Sequence, residues 1–213
     1  LTVKDVVLIK GSGINLELFK PIPKNEKPSL VLFASRLLKS KGLIEFARSA
    51  EDFATSKYKF IVAGKLDVEN PDCISSNLLK DLESKGILKF VGHKKDIRNL
   101  IQNAKIVVLP SYYGEGLPKI LIEAAACGVP VITTDHPGCR DAIIKNKTGL
   151  LVPIKNSKAL SIAISRLLND DELCKRMGHS GRELALKRYD IKKVVKKHMD
   201  IYKKLIYRKN LLC

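Results

Sequence analysis

KIVVLPSYYGEGLPKILIEAAACGVPVIT, residues 105–133, carries the signals that decide the fold. Lys105–Leu109 is a short run of β-branched and apolar residues, the pattern of a strand buried on both faces. Ser111–Leu117 is a loop with glycines at 114 and 116, and Pro118 suits the first turn of a helix. Pro118–Cys127 then carries apolar residues near a 3.6 period, and Val129–Thr133 is a second buried strand. Strand, glycine loop, helix and strand in immediate succession form one winding of a parallel α/β sheet.

The same alternation extends in both directions. Val6–Ile9, Leu30–Ala34, Tyr58–Ala63, Leu88–Val91 and Gly149–Val152 read as further strands, and Leu43–Phe53, Asn77–Lys85 and Ile97–Asn103 as amphipathic helices between them. After Pro153 the strands stop, and Ser157–Asn169, Asp171–Arg188 and Ile191–Ile206 read as consecutive helices. Pro21, Pro23 and Pro28 among charged residues mark an exposed linker. The expected architecture is a Rossmann-like, doubly wound parallel sheet at 29–190. A lead-in segment at 1–28 precedes it, and a basic C-terminal helix at 191–213 follows.

Length and composition narrow the function classes. A chain of 213 residues with 45% hydrophobic and 29% charged residues can bury a core without metal or disulfide staples. No stretch approaches the roughly 20 apolar residues of a membrane span, and nothing behind Leu1 has the form of a secretion signal. The chain reads as a piece of a longer polypeptide. Five widely spaced cysteines without a CxxC fit reduced thiols in a cytoplasmic setting. The net charge of +17 favours acidic partners, and nearly half of the excess lies between Lys187 and Cys213.

Two segments carry candidate chemistry. In Ser111–Glu123, Gly114 and Gly116 allow a ligand close to the backbone, and the following helix N-terminus offers unpaired N–H groups to a phosphate. Glu115 stands in the loop and Glu123 in the helix, where apolar neighbours demand a partner or a ligand for its carboxylate. The competing reading gives Glu115 to the helix dipole and Glu123 to solvent. Arg36-Leu-Leu-Lys-Ser-Lys-Gly42 follows a strand in the same way, and its cations suit a diphosphate or simply a solvated basic loop. His93, His136, His179 and His198 share no metal-ligand spacing, so no metal site is expected. Asp67-Val-Glu69 is no DxD and reads as a solvated turn, while Cys127 reads as a small core residue.

Together these segments resemble the C-terminal, donor-binding domain of retaining glycosyltransferases with the GT-B fold, family 4. Glu115 and Glu123 match that family's E-x7-E motif, and Arg36, Lys41 and Gly42 its R-x4-K-G motif. Gly11-Ser-Gly-Ile-Asn15 resembles its interdomain segment, Phe60–Gly64 its second strand and glycine, and Phe90–Asp96 its base-binding turn. Ala124–Thr133 and Asn146–Pro153 are similar to two further stretches of the family.

The resemblance implies that Glu115 binds hydroxyls of the donor sugar, with the N–H groups of Gly116 and Leu117, next to Gly114 and Pro118, near sugar or phosphate. It implies that Glu123 accepts from the ribose and that Arg36 and Lys41 hold the pyrophosphate and stabilise the leaving group. His93 and Lys94 would meet the base, and Gly64 would lie beside the nucleotide. The donor is then a nucleotide sugar, with UDP the first choice and GDP its competitor, bound as substrate without a further cofactor. The acceptor site belongs to an N-terminal domain that this piece lacks, so the fragment alone binds donor without turnover.

Pro110–Lys119 and Glu123–Gly128 resemble members that build capsule, O-antigen or lipid-linked oligosaccharide, which implies a cytoplasmic enzyme that can sit against the anionic inner face of a membrane. Two alternatives stand beside this reading: a nucleotide-sugar 2-epimerase of the same fold, and a nucleic-acid-binding module. Few aromatics accompany the basic tail, so no nucleic acid is expected.

Overall fold

The computed structural model describes residues 6–9, 11–23, 28–114 and 116–206, with the backbone of the last helix continuing to Asn210. Six strands form one sheet: β1 (Leu30–Ala34), β2 (Lys59–Ala63), β3 (Leu88–Phe90), β4 (Ala104–Leu109), β5 (Val131–Thr134) and β6 (Gly149–Val152). Their order is β3-β2-β1-β4-β5-β6, with every pairing parallel. Residues Val31–Phe33 of β1 and Ile106–Val108 of β4 are fully buried, as central strands of a two-sided sheet must be.

Between the strands run α1 (Leu43–Glu51), α2 (Ser76–Ser84), α3 (Arg98–Asn103) and α4 (Lys119–Ala126). After β6 come α5 (Ser157–Asn169), α6 (Asp171–Arg188) and α7 (Ile191–Asn210). The helices flank the sheet in two packed groups, α1 with α5 and α3 with α4 and α6. The rings of Phe33, Phe46 and Phe60 meet at centroid distances of 5.4 and 5.6 Å, joining β1, α1 and β2. Side chains of Asn156 and Asp170 cap α5 and α6 by accepting from Ala159 N–H and Leu173 N–H.

The fold is the expected Rossmann-like α/β sheet followed by helices. One expected element is absent: residues 6–9 make no strand. Val6, Val7 and Leu8 are largely exposed beside α7, where the Lys197 ammonium donates to Leu8 O at 2.8 Å. A β-branched run becomes a strand only where another strand can pair with it. Residues 11–19 pack onto the last two helices. Ile14 N–H donates to Tyr189 O, Ile191 N–H donates to Ile14 O, and the Arg182 guanidinium joins Leu16 O and Phe19 O to Ala126 O. Cys127 is a buried core residue, as its neighbours imply.

Candidate functional site

The chain crosses the sheet from β3 back to β4, so β1 and β4 are neighbours whose connections leave in opposite directions. Outside the carboxyl ends of such a pair lies the crevice where open α/β sheets take ligands. A cleft of about 350 Å³ occupies that place. It is lined by Arg36 and Lys41 after β1, Gly64 and Lys65 after β2, His93 and Lys94 after β3, and Pro118, Lys119 and Glu123 at the start of α4. Residues from four loops thus converge.

Each side chain is set by its own loop. Lys41 is only 7% exposed, and its ammonium lies 4.5 Å from the centre of the Tyr113 ring. Gly42 follows with φ +81°, and a Cβ there would lie 2.2 Å from Pro110 O. Only glycine permits that approach. Ser40 O accepts from Tyr112 N–H at 2.8 Å, Tyr113 N–H at 3.1 Å and Ser111 Oγ at 3.2 Å. The cation loop and the glycine loop are therefore bound to one another. Gly64 is required by packing as well, since a Cβ there would stand 2.0 Å from Ser35 O.

Helix α4 starts at Lys119, with Pro118 as its N-cap (φ −60°, ψ 120°), one residue later than the proline rule places it. Glu123 is half-buried on its second turn, without a hydrogen-bond partner among the described residues. Burial pushes its carboxyl up from the ordinary 4.5, and Lys119 four residues earlier works against that rise. A carboxylate in that setting is poised to accept from a ligand hydroxyl. Arg36 is bound at one nitrogen, Nη1, to Asp67 Oδ2 at 2.8 Å.

Of the candidate residues, the structure brings Arg36, Lys41, Gly64, His93, Lys94, Pro118 and Glu123 to one cleft. Gly114, Gly116 and Leu117 do not line it. Gly114 and Gly116 face open space, with nothing within 4 Å of where a Cβ would stand, and Leu117 packs against Gly11. Glu115 lies outside the described residues. Lys65 and Lys119 are cleft residues that the motifs do not mark, although a lysine at the N-terminus of a glycine-preceded helix was a readable signal. No group of three or more His, Cys, Asp or Glu able to hold a metal occurs among the described residues.

The family model for glycosyl transferases group 1 matches residues 15–184. The chain belongs to that family. It is 36% identical over 214 residues to the N,N'-diacetylbacillosaminyl-diphospho-undecaprenol alpha-1,3-N-acetylgalactosaminyltransferase of Campylobacter jejuni, a match covering 94% of this chain and 55% of that protein. The chain thus spans about half the length of this relative. Among solved structures, sucrose-phosphate synthase from Thermosynechococcus elongatus has a TM-score of 0.79 at 27% identity, covering 92% of this chain and 52% of that one. Anabaena Alr3699/HepE in complex with UDP also has a TM-score of 0.79, at 20% identity, covering 90% of this chain and 56% of its own. The architecture is one half of a GT-B fold.

Proposed function

We propose that this chain is the donor-binding half of a retaining glycosyltransferase that moves a sugar from a nucleotide sugar, UDP-linked in the first instance, to an acceptor hydroxyl. One observation carries the reading: Arg36, Lys41 and Lys119 surround a cleft in which the carboxylate of the half-buried Glu123 has no hydrogen-bond partner among the described residues. Cations suit a diphosphate, and an unpartnered carboxylate suits ribose hydroxyls. As the bond between the anomeric carbon and the phosphate oxygen breaks, negative charge grows on the leaving diphosphate. Fixed cations stabilise it without reorganising.

In this reading Glu115 holds the donor sugar near the Gly114–Leu117 loop, and the turn at His93 and Lys94 meets the base. The donor is a substrate, and no further cofactor is part of the scheme. The C. jejuni relative, an N-acetylgalactosaminyltransferase named for a diphospho-undecaprenol sugar, supports polysaccharide or glycolipid synthesis and a lipid-linked acceptor. A protein of the same fold has been crystallised with UDP, which supports the base. An N-terminal half completes the enzyme and carries the acceptor.

Membrane association at the cytoplasmic face rests on α7. Among the described residues no helix is long and apolar enough to cross a membrane. On α7, Val195, Met199, Tyr202 and Ile206, spaced as one helical face, are each about half exposed. We assign that strip to packing against the N-terminal half, and the lysines beside it to anionic lipid. Lys192, Lys193 and Lys197 already make contacts to Glu17, Leu186 O and Leu8 O. Lys196, Lys203 and Lys204 make none among the described residues and are the lipid candidates.

Calorimetric titration of the chain with UDP, GDP, ADP and a short DNA duplex tests the donor reading. The expected result is binding of UDP ahead of the others. Tight binding of the duplex with none of any nucleotide would replace it with the nucleic-acid module. The 2-epimerase alternative is tested by the assembled enzyme: a UDP-sugar epimerised in the absence of any acceptor would favour it.

A further inference from the structure

Arg36 is half exposed at the mouth of the cleft, on a long side chain that would sample many rotamers if left alone. One described group holds it. Asp67 Oδ2 accepts from Nη1 at 2.8 Å, while Nε and Nη2 have no acceptor among the described residues. Residues 67–70 form the expected turn, with Val68 and Glu69 exposed, but Asp67 itself is partly buried and paired with Arg36.

The segment that carries Asp67, between β2 and α2, is tied to the cation loop on both sides of that residue. Leu37 N–H donates to Lys65 O at 3.0 Å, Lys39 N–H to Asp72 O at 2.9 Å and Ile74 N–H to Leu37 O at 3.1 Å. Leu38 and Cys73 form an antiparallel bridge. The Asp72 carboxylate accepts from Ser40 N–H at 3.0 Å and from Ser40 Oγ. Within the segment, Asn70 N–H donates to Asp67 O at 2.9 Å and Asp72 N–H to Asn70 Oδ1 at 2.9 Å. Asp67 is therefore presented at a fixed point relative to the backbone of Arg36.

Resting on the donor-binding reading, we infer that Asp67 is a positioning residue for Arg36. It holds the guanidinium by one nitrogen and leaves the Nε–Nη2 edge available to phosphate. The planar fork then meets the diphosphate with its rotamer already chosen, which lowers the entropy lost on binding. The opposite role, a carboxylate that competes with phosphate for Arg36, would have the opposite effect on affinity.

Calorimetry with UDP on the wild type, Asp67→Ala, Asp67→Asn, Arg36→Ala and the Arg36→Ala/Asp67→Ala double variant separates them. Asp67→Ala should weaken UDP about two- to fivefold, the scale of an exposed charge pair. Asp67→Asn keeps a side-chain oxygen for Nη1 and should restore most of the loss, and it also serves if alanine loosens the turn. In the Arg36→Ala background, Asp67→Ala should add nothing. Tighter or unchanged UDP binding in Asp67→Ala would overturn the inference, as would an equal loss without Arg36. If Arg36→Ala itself binds UDP like the wild type, the diphosphate assignment fails first and takes this inference with it.

Discussion

The two ends of the sheet both bury charge, and they treat it differently. At the amino ends of the strands, Lys105 is 7% exposed. Its ammonium donates to Leu168 O at 2.9 Å and Asp171 Oδ1 at 2.5 Å and lies 5.5 Å from the centre of the Tyr58 ring, while Tyr58 OH donates to Leu168 O. Burial, the largest influence on that ammonium, works against its charge. The Asp171 hydrogen bond and the nearby Tyr58 outweigh burial, and the net shift is upward. At the carboxyl ends, the carboxyl of half-buried Glu123 has no donor among the described residues, and burial drives it up. The hollow at the amino ends is the larger, about 460 Å³ against about 350 Å³. Volume does not set the proposed donor cleft apart; the open hydrogen bonding of Glu123 does. The Lys105 ammonium has its partners within the chain, whereas the Glu123 carboxylate has none among the described residues.

Substitution at each end should separate these roles, and Lys105→Ala gives the largest effect. Removing one partner of a buried pair costs about 3–5 kcal/mol, and since Asp171 is 36% exposed and reaches water, about 2–3 kcal/mol is expected by urea unfolding. UDP affinity should not change. A Lys105→Ala chain that unfolds like the wild type would erase the contrast.

Arg36→Ala and Lys41→Ala are the mirror experiment. Each charge-assisted phosphate contact contributes about 1.5–3 kcal/mol, so UDP should bind about tenfold or more weakly in calorimetry. For Arg36, whose only described pair is partly exposed, unfolding should move by less than about 1 kcal/mol.

Glu123→Gln sharpens the comparison through pH. Because the folded-state pKa of Glu123 is raised above 4.5, the native chain holds its proton more tightly than the unfolded chain. Its contribution to stability is then complete below about pH 4.5 and is lost as pH rises through the folded-state value. Glu123→Gln should therefore be more stable than the wild type at pH 7, with the gain vanishing as pH falls below 4.5, while UDP binding weakens. A loss of stability at pH 7 would mean that Glu123 has a structural partner after all.

The effect most easily removed by salt is expected on α7. With the assembled enzyme, Lys196→Glu, Lys203→Glu and Lys204→Glu should together reduce co-sedimentation with anionic vesicles at low salt. Each lysine is worth about 1 kcal/mol near such a surface, and high salt should remove the difference. Binding that ignores vesicle charge and salt would leave α7 as packing alone.

Much of this was legible in the chain. The helical and extended periods mark six of the seven expected strands, because β1–β6 each lie beside another strand and carry runs of apolar residues. Arg36, Lys41, Gly64, His93 and Lys94 in the loops after β1–β3 and Glu123 on α4 converge because a parallel sheet sends all its carboxyl ends to one edge. Val6–Ile9 shows the limit, since composition permits a strand and only a neighbour makes one. Asp67 and Asp72 were illegible for a related reason. Their partners, Arg36 and Ser40, lie about thirty residues away through an irregular loop, and no periodicity announces such a contact. Lys119 stood in plain view, but its meaning depends on Glu123 sharing the cleft.

The bond from Ser40 to the tyrosine loop also bears on how this domain can be altered. Because Gly42 rests against Pro110 and Ser40 O takes three donors from Ser111–Tyr113, the two loops form a single interlocked part. The segment 65–74 fastens to the same part from the other side. A chimera that imports 110–117 from a relative with a different donor, while keeping the native 35–42, brings together two surfaces cut for other partners. The transplantable unit is discontinuous in sequence: 35–42, 65–74 and 110–117 travel together or the graft fits badly.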